Sequence, residues 1–390
     1  MDKELDVASD RAYISTLSRY LSAIGAHVTI LSRYRDRPKE YPDASIVYVR
    51  TVSLSILKRL SYLLSVFFRL LILSLKTNPR VPDVIVIDRP TLVFATLPAV
   101  LICRLRRSRS PRFVLDVRSL PNDPDQGLKG RVTWFLFNAG LRLASGLYDG
   151  CMAITPAMAR YIAESSKFKA DGIGLWSSAF DANIFNPDTT VLDSKLNTSD
   201  RITLVYHGAI APNRMLIETV EALSICSADV QLLLIGDGEL LPKLKERVSE
   251  LGLVDRVSFI DPVEYERVPG FLLGADIGIV PIPNTLWFEV SMPIKLLEYM
   301  AMKLPIIAPL TTPVKTVIEG SSCDVEPFEI TGSDQQPEAI ATAIDNAALK
   351  WGKSHLSSAN RERVLVRFSW EAQAGNILHD LARLNPVDVH

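Results

Sequence analysis

The chain has 390 residues, of which 48% are hydrophobic and 22% charged, and its formal net charge is −1. This composition is typical of a globular protein, and the length predicts two domains, each with its own core. The charge is unevenly distributed, because residues 1–120 contain 20 Lys and Arg but only 10 Asp and Glu, so the rest of the chain is acidic.

The cysteines and the N-terminus argue against several classes of protein. The four cysteines lie far apart, without a C-x-x-C pair or a histidine cluster, at positions 103, 151, 226 and 323. This spacing argues against a zinc site and a disulfide framework, and it favours a reduced, cytoplasmic interior. The first ten residues, MDKELDVASD, are acidic and polar, so we expect no export signal. No apolar stretch is long enough to predict a membrane-spanning helix.

The first half of the chain predicts helices that alternate with strands. DRAYISTLSRYLSAIGA (10–26) has the pattern of a helix, and VIVID (84–88) and FVLDV (113–117) have the pattern of buried strands. Such alternation is typical of βαβ units, so we expect a parallel sheet in this half.

Two segments of this half combine basic and apolar residues. SLSILKRLSYLLSVFFRLLILSLK (53–76) carries only basic charges among its Leu, Phe and Ile, and LICRLRRSRSPR (101–112) adds an arginine cluster. Apolar helices with cations suit an anionic membrane surface, which attracts each basic residue by roughly 1 kcal/mol. A helix buried against the sheet explains the leucines equally well. We favour a peripheral membrane contact through both segments, and we do not expect nucleic acid as a partner, because no aromatic residues are interleaved with the arginines.

A polar stretch divides the chain. NPDTTVLDSKLNTSD (186–200) has no apolar period, and we interpret it as a linker between an N-terminal domain, 1–185, and a C-terminal domain, 201–365. Residues 366–390 are predicted to form a closing helix that Ser369 caps.

The C-terminal domain predicts a second series of strands and helices. Its strands are RITLVYHG, QLLLIGDG, VSFID, ADIGIVPI and PIIAP. In open α/β sheets a ligand binds beyond the carboxyl ends of the strands. We therefore expect the loops after residues 206, 236, 260 and 282 to converge on one site.

The segment SMPIKLLEYMAMKLPIIAP (291–309) places Lys295 and Glu298 on one face of a predicted, largely buried helix. A local ion pair is the simple explanation, yet buried charges are costly unless they have partners. Pro293 marks the N-terminus of the helix, whose free N–H groups favour an anion. We therefore favour a ligand site in which Lys295 binds a phosphate and Glu298 accepts hydrogen bonds from sugar hydroxyls.

A second signal is YHGAIAPNRMLIETVEAL (206–223), a strand that ends at Gly208 and continues through a short loop into a helix. Glycine allows a ligand to approach the backbone closely, and Arg214 can bind a phosphate through two N–H groups. Such turns occur in many βα units, so this turn alone does not indicate a binding site. It supports one because the 291–309 segment lies in the same domain.

The order of these motifs resembles the glycosyltransferases of the GT-B fold, in particular the large retaining group with an E-x7-E motif. HG…NR, LLLIGDGEL, DRVSFID, GADIGIVPIP and PIKLLEYMAMKLPIIAP carry the C-terminal part of the resemblance. HVTILSR, PDVIVIDRP, FVLDVRSLP, AITPAMARYI and FSWE are similar to the N-terminal domain and the closing helix of that group. The resemblance implies an α/β fold with two Rossmann-like parallel-sheet domains facing across a cleft and a C-terminal helix that crosses back to the first domain.

The resemblance also implies a chemistry. The second domain would bind a nucleotide-diphosphate sugar, the first would hold the acceptor, and catalysis would require neither a metal nor another cofactor. Glu298 matches the second glutamate of the motif, which binds the nucleotide ribose in the family. Arg214 matches the basic residue of the loop that holds the donor diphosphate. Lys295 has a counterpart in the subgroup whose motif reads P-x-K-x-x-E, and its charge suits phosphate or sugar.

Several positions depart from the family pattern. The first motif glutamate falls on Val290, with Glu289 one residue away as a candidate replacement. Ala209 stands where an arginine often follows the glycine, so the diphosphate site has fewer charges than usual. The histidine that the family often places near the sugar has no match in the N-terminal domain, because His27 begins a strand.

The resemblance implies that the N-terminal domain binds the acceptor. Asp88, Asp116 and Arg118 stand at its strand ends, where they either contact the acceptor or serve as structural charges. Only nine residues precede the helix at 10–26, and the first strand and glycine-rich loop of the family have no counterpart there. We therefore expect that the chain lacks an N-terminal segment or begins at an internal start.

Together these observations predict a metal-independent, retaining hexosyltransferase at the cytoplasmic face of the plasma membrane, acting on a glycan, polysaccharide or lipid-linked acceptor. The catalytic candidates are Lys295, Arg214 and Glu289, and the donor-binding candidates are Gly208, Arg214, Lys295, Glu298 and Pro293. An epimerase of the same fold, acting on the nucleotide sugar alone, is one alternative. A non-catalytic scaffold is another, and Val290 and Ala209 keep it open. A dinucleotide-dependent oxidoreductase is less favoured, because no G-x-G-x-x-G follows a strand.

Overall fold

The computed structural model describes residues 19–20, 22–23, 28–32, 44–48, 64–72, 83–105, 111–121, 127–194, 200–330 and 335–384. These residues form two compact units. The C-terminal unit runs from Ser178 to Ala372, and the N-terminal unit contains the described residues up to Ser177 together with those from Gln373 onward. Residues 19–20 and 22–23 of the predicted helix at 10–26 are helical, whereas its other residues and His27 lie outside the described residues.

The N-terminal unit is built on parallel strands. A four-stranded sheet has the order β3-β4-β5-β6, and a separate parallel pair is formed by β1 and β2. The strands are β1 Val28–Ser32, β2 Ala44–Tyr48, β3 Val84–Ile87, β4 Arg112–Val117, β5 Gly150–Ala153 and β6 Ile173–Leu175. Its helices are α1 Val93–Leu105, α2 Gly127–Leu147 and α3 Pro156–Ser165, and residues 64–72 are also helical. Strands β3 and β4 confirm the two strands predicted for this half.

The C-terminal unit contains a six-stranded parallel sheet in the order β12-β11-β10-β7-β8-β9. Its strands are β7 Ile202–His207, β8 Val230–Ile235, β9 Val257–Ile260, β10 Ile277–Ile279, β11 Ile306–Pro309 and β12 Val325–Phe328. Its helices are α4 Leu216–Ile225, α5 Leu241–Glu250, α6 Val268–Leu272, α7 Leu286–Val290, α8 Ile294–Ala301, α9 Thr312–Ile318, α10 Gln336–Trp351 and α11 Ser358–Phe368. This is the Rossmann strand order, in which the direction of winding reverses between β7 and β10.

Apolar strands explain why helices cover both faces of this sheet. Along β7, Leu204 and Tyr206 are fully buried in one core cluster, whereas Val205 between them is fully buried in the other. A strand whose alternate residues are both buried needs a helical layer on each side. The five strands predicted for this domain are confirmed as parallel strands of one sheet.

The chain passes between the units at places that differ from the predicted boundaries. It leaves the N-terminal unit after Ser177, ahead of the predicted linker, and returns to it at Gln373. The described part of the linker belongs to the C-terminal unit, where the Asp193 carboxylate pairs with Arg267 at 2.8 Å. Arg361 donates to Asn186 at 3.1 Å. The polar residues of this segment thus have partners on the C-terminal unit, which explains why it packs there.

The C-terminal helix returns to the N-terminal unit, as the resemblance implied. Helix α12 (Trp370–Leu384) begins after Ser369, whose Oγ accepts a hydrogen bond from the N–H of Ala372 at 3.3 Å and so confirms the predicted cap. Within the N-terminal unit, Gln373 Oε1 accepts a hydrogen bond from the N–H of Ser177 at 2.6 Å. From Gln373 onward the helix is part of this unit.

Candidate functional site

The best-defined site of the C-terminal unit lies where β7 ends. Gly208 follows the last residue of β7 and has a φ of +114°, a conformation that residues with a side chain rarely adopt. β7 and β10 are neighbours in the sheet, so this turn lies at the point where the strand order reverses. Ligands bind at that point in open α/β sheets.

The loops after β7 and β8 touch each other through glycines. A Cβ on Gly236 would lie 2.0 Å from the carbonyl oxygen of Gly208, and a Cβ on Gly238 would lie 2.1 Å from that of Ile210. The N–H of Gly208 also donates to the carbonyl oxygen of Ile235 at 2.8 Å. These contacts require glycine, and they hold the two loops against each other beside the end of β7.

Helix α8 contributes a buried carboxylate. Glu298 is only 2% exposed. Its Oε1 accepts a hydrogen bond from the Tyr265 hydroxyl at 2.7 Å, and its Oε2 lies 3.0 Å from Nε2 of His207. Burial disfavours the charged form, yet the effects of His207, Tyr265 and Lys295 outweigh it and hold the pKa of Glu298 below its ordinary value.

Lys295 lies one turn before Glu298, next to the Gly208 turn. Its Nζ is 4.9 Å from the centre of the Tyr206 ring, a cation–π distance. A Cβ on Gly208 would approach the Lys295 Cε to 2.9 Å. Burial, followed by repulsion from Arg214, lowers the pKa of Lys295 to about 7, against a smaller opposing effect from Glu298.

Arg214 supplies a second cation at the same turn. Its Cζ lies 4.7 Å from the centre of the Phe288 ring and 5.6 Å from that of Trp287, so aromatic residues of α7 hold the guanidinium. Among the residues that the structure describes, no hydrogen-bond acceptor reaches its buried Nε. Arg214 and Lys295 are close enough for repulsion to lower the lysine pKa, and an anion between them would relieve that repulsion.

The remaining donor-side candidates take different positions. Pro293 is the N-cap of α8, one residue before the helix begins. The Glu289 Oε2 accepts a hydrogen bond from the N–H of Thr312 at 3.2 Å, so its carboxylate lies at the start of α9. Val290, which stands where the motif has its first glutamate, is 3% exposed and part of the apolar interior. The structure thus brings Gly208, Arg214, Lys295 and Glu298 together and directs Glu289 elsewhere.

The acceptor-side candidates cluster in the N-terminal unit at the ends of β3 and β4. Arg118 lies 3.6 Å from the Asp88 carboxylate and 3.8 Å from that of Asp116. Asp116 is buried and accepts a hydrogen bond from the indole N–H of Trp176 at 2.8 Å. Asp116 therefore has a structural partner, whereas Asp88 is more exposed.

Sequence reasoning missed two residues that lie against the Glu298 carboxylate. His207 had a recognisable signal, since it precedes the turn glycine at a strand end. Tyr265 lies in a short 3-10 helix, Tyr265–Arg267, in the loop after β9. That loop was expected at the site, but no residue in it was singled out. Over the described ranges, no three His, Cys, Asp or Glu side chains lie together in a way that could hold a metal ion.

Two family models match successive parts of the chain. Residues 201–348 match the family model "Glycosyl transferases group 1", and residues 11–173 match the "Glycosyl transferase 4-like domain". A Mycobacterium tuberculosis protein named GDP-mannose-dependent alpha-(1-6)-phosphatidylinositol dimannoside mannosyltransferase is 25% identical over 190 residues, 48% of this chain and 45% of its own length. The chain thus aligns with less than half the length of this curated relative.

Solved structures are similar over nearly the whole chain. Sucrose-phosphate synthase from Thermosynechococcus elongatus has a TM-score of 0.71 and 17% identity, covering 96% of this chain and 93% of its own. Anabaena HepE in complex with UDP has a TM-score of 0.67 and 14% identity, covering 95% and 96%. At this identity the likeness shows the fold. With both family models matched in chain order and the two parallel sheets in place, the chain belongs to the group 1 glycosyltransferases, which have the GT-B fold.

Proposed function

We propose that this protein is a retaining glycosyltransferase that moves a sugar from a nucleotide-diphosphate donor to a glycan, polysaccharide or lipid-linked acceptor. The observation that carries the proposal is the pair of cations, Arg214 and Lys295, beside the Gly208 turn at the end of β7. Two neighbouring cations destabilise each other unless an anion lies between them, and the donor diphosphate is such an anion.

The cations would act mainly on the leaving group. As the bond from the sugar to the diphosphate breaks, negative charge grows on the departing phosphate oxygen. Lys295 and Arg214, already fixed by aromatic rings, would stabilise that charge, as preorganised donors do in other enzymes. The free N–H groups that follow Pro293 at the start of α8 would also stabilise this negative charge. In this proposal no metal and no other cofactor is needed.

Glu298 would orient the nucleoside while remaining buried. Each carboxylate oxygen has two lone pairs, so an oxygen already paired with Tyr265 or His207 retains acceptor capacity for a ribose hydroxyl. Glu289, which caps α9, would support the shape of the donor pocket rather than contact the reacting atoms. In the N-terminal unit we assign the acceptor to Asp88 and Arg118, with Asp116 holding them in place.

We further propose that the protein works at the cytoplasmic face of the plasma membrane. In the helical residues 64–72, Val66 and Leu70 are buried while Leu64, Phe68 and Ile72 are exposed on one side. Residues 53–63, 73–76 and 106–110 of the two basic segments lie outside the described residues. Among the helices that the structure describes, none is long and apolar enough to cross a bilayer.

Nucleotide binding tests the donor site. We expect UDP or GDP to raise the melting temperature of the folded protein, whereas Arg214→Ala and Lys295→Ala should abolish the shift. UDP is the first probe because HepE holds it, and GDP because the mannosyltransferase depends on GDP-mannose. Lys243→Ala, an exposed lysine on α5, is the matched control and should leave the shift unchanged.

Turnover separates the alternatives. Release of the nucleoside diphosphate that requires an acceptor supports a transferase, whereas epimerisation of the donor alone supports the epimerase. The scaffold has one structural observation in its favour, the buried Val290 at the first glutamate position. Nucleotide binding without turnover of any nucleotide sugar would support it. A folded protein that binds none of UDP, GDP, ADP and TDP would refute the donor site.

A further inference from the structure

The outward face of α2 is apolar, although this helix lies on the surface of its unit. Leu128, Val132, Phe135 and Leu136 are 80%, 49%, 71% and 40% exposed. Their spacing places all four on one side of the helix. Single exposed apolar residues are common, but a continuous stripe marks a surface that another molecule covers.

The opposite face of α2 is already packed. Phe137, Gly140, Leu141 and Ala144 are its buried residues. A Cβ on Gly140 would lie 2.1 Å from the carbonyl oxygen of Pro90, so the helix packs directly against the backbone at Pro90. Rotating the helix to bury the apolar stripe would break this contact. The stripe therefore stays on the outside.

The charges on α2 are all positive. The helix contains Lys129, Arg131 and Arg142 but no Asp or Glu, and all three cations are exposed. At about 100° per residue, Lys129 lies on one side of the apolar stripe and Arg131 on the other. Cations that flank a stripe of Leu and Phe are typical of helices that lie in the interface of an anionic bilayer.

We propose that α2 docks on an anionic lipid bilayer through this stripe. Leu128 and Phe135 insert at the boundary of the acyl chains, while Lys129 and Arg131 contact lipid phosphates. The proposal rests on the membrane-face location proposed above, and it assigns the contact to a helix outside the two segments that the sequence predicted. Docking would hold the N-terminal unit, to which we assign the acceptor, at the surface where lipid-linked acceptors lie.

Vesicle co-sedimentation of the full chain tests the proposal. The protein should bind vesicles of phosphatidylcholine and phosphatidylglycerol more tightly than vesicles of phosphatidylcholine alone. Leu128→Ser with Phe135→Ser should weaken binding by about tenfold or more. Lys129→Glu with Arg131→Glu should remove the preference for anionic vesicles. The matched control is Leu349→Ser on α10, where a leucine that is 88% exposed belongs to the C-terminal unit.

Three results would overturn the proposal. The first is a folded wild-type protein that does not bind anionic vesicles, and the second is binding that the double serine variant leaves unchanged. The third is a dimer, seen by analytical ultracentrifugation, that the double serine variant abolishes, because a second copy would then cover the stripe. Urea unfolding of the same samples without lipid shows whether the variants keep a folded N-terminal unit. Nucleotide binding, measured separately, tests the donor site on the C-terminal unit.

Discussion

The affinity of the C-terminal unit for a nucleoside diphosphate should depend on pH through Lys295. Because the pKa of this lysine is lowered to about 7, about half of the ligand-free molecules carry an uncharged amine at pH 7. A diphosphate stabilises the charged form, so binding should take up about half a proton at pH 7 and nearly one at about pH 8.5. Affinity should therefore fall as pH rises, approaching tenfold for each pH unit.

Titration calorimetry between about pH 6 and about pH 8.5 measures both quantities, since proton uptake appears as heat that depends on the buffer. The ligand contributes little above pH 7, because its terminal phosphate has a pKa of about 6. Lys295→Arg keeps its charge throughout and should remove most of the dependence. An affinity that is constant from about pH 7 to about pH 8.5 in the wild-type protein, without proton uptake, would refute this reasoning.

Three substitutions, with Gly146→Ala as a control, test the packing of the two units by urea unfolding. Gly208→Ala should lower the free energy of unfolding by roughly 1–3 kcal/mol and abolish nucleotide binding. The reason is that φ of Gly208 is +114° and the new Cβ would lie 2.9 Å from Cε of Lys295. Nucleotide binding at wild-type affinity would contradict the assignment of the turn. Glu298→Ala should lower the free energy of unfolding by about 1–3 kcal/mol, because the buried Tyr265 hydroxyl loses its acceptor. An unchanged free energy of unfolding would show that this contact contributes little to stability. Gly140→Ala should lower the free energy of unfolding by roughly 1–3 kcal/mol, because the new Cβ would overlap the carbonyl oxygen of Pro90. In the control Gly146→Ala, on the same helix, the new Cβ would meet nothing within 4 Å, so the free energy of unfolding should rise by up to about 1 kcal/mol.

The sequence allowed the convergence of four candidate residues to be predicted. Gly208, Arg214, Lys295 and Glu298 were expected to converge because the carboxyl ends of parallel strands share one edge of the sheet. The structure brings them together at that edge. The contacts of His207 and Tyr265 with Glu298 were not predicted, since which side chains meet a buried carboxylate depends on long-range packing that motif spacing does not encode.

Short or polar segments were harder to predict. Strand β12 was not predicted, because Glu326 and Pro327 interrupt the apolar pattern that revealed other strands of the same length. The segment that begins at Asn186 has the composition of a linker, but arginines distant in sequence pair with it and hold it on the C-terminal unit. Glu289 was a candidate replacement for the missing motif glutamate, yet on α7 its carboxylate is directed to the start of α9. A shift of one residue on a helix rotates a side chain by about 100°, which sequence spacing alone does not correct.

The glycine contact between the loops after β7 and β8 limits how this protein can be redesigned. A saturation library at Gly236 or Gly238 would yield mostly misfolded variants, because every side chain begins with a Cβ that would overlap a carbonyl oxygen. Directed evolution toward a different nucleotide sugar should therefore leave these positions fixed. Ser291, which is half-buried between α7 and α8, is the better target, whereas Trp287 should stay fixed because it holds Arg214. Substrate range would then change through one side of the pocket, while the glycine side remains constant.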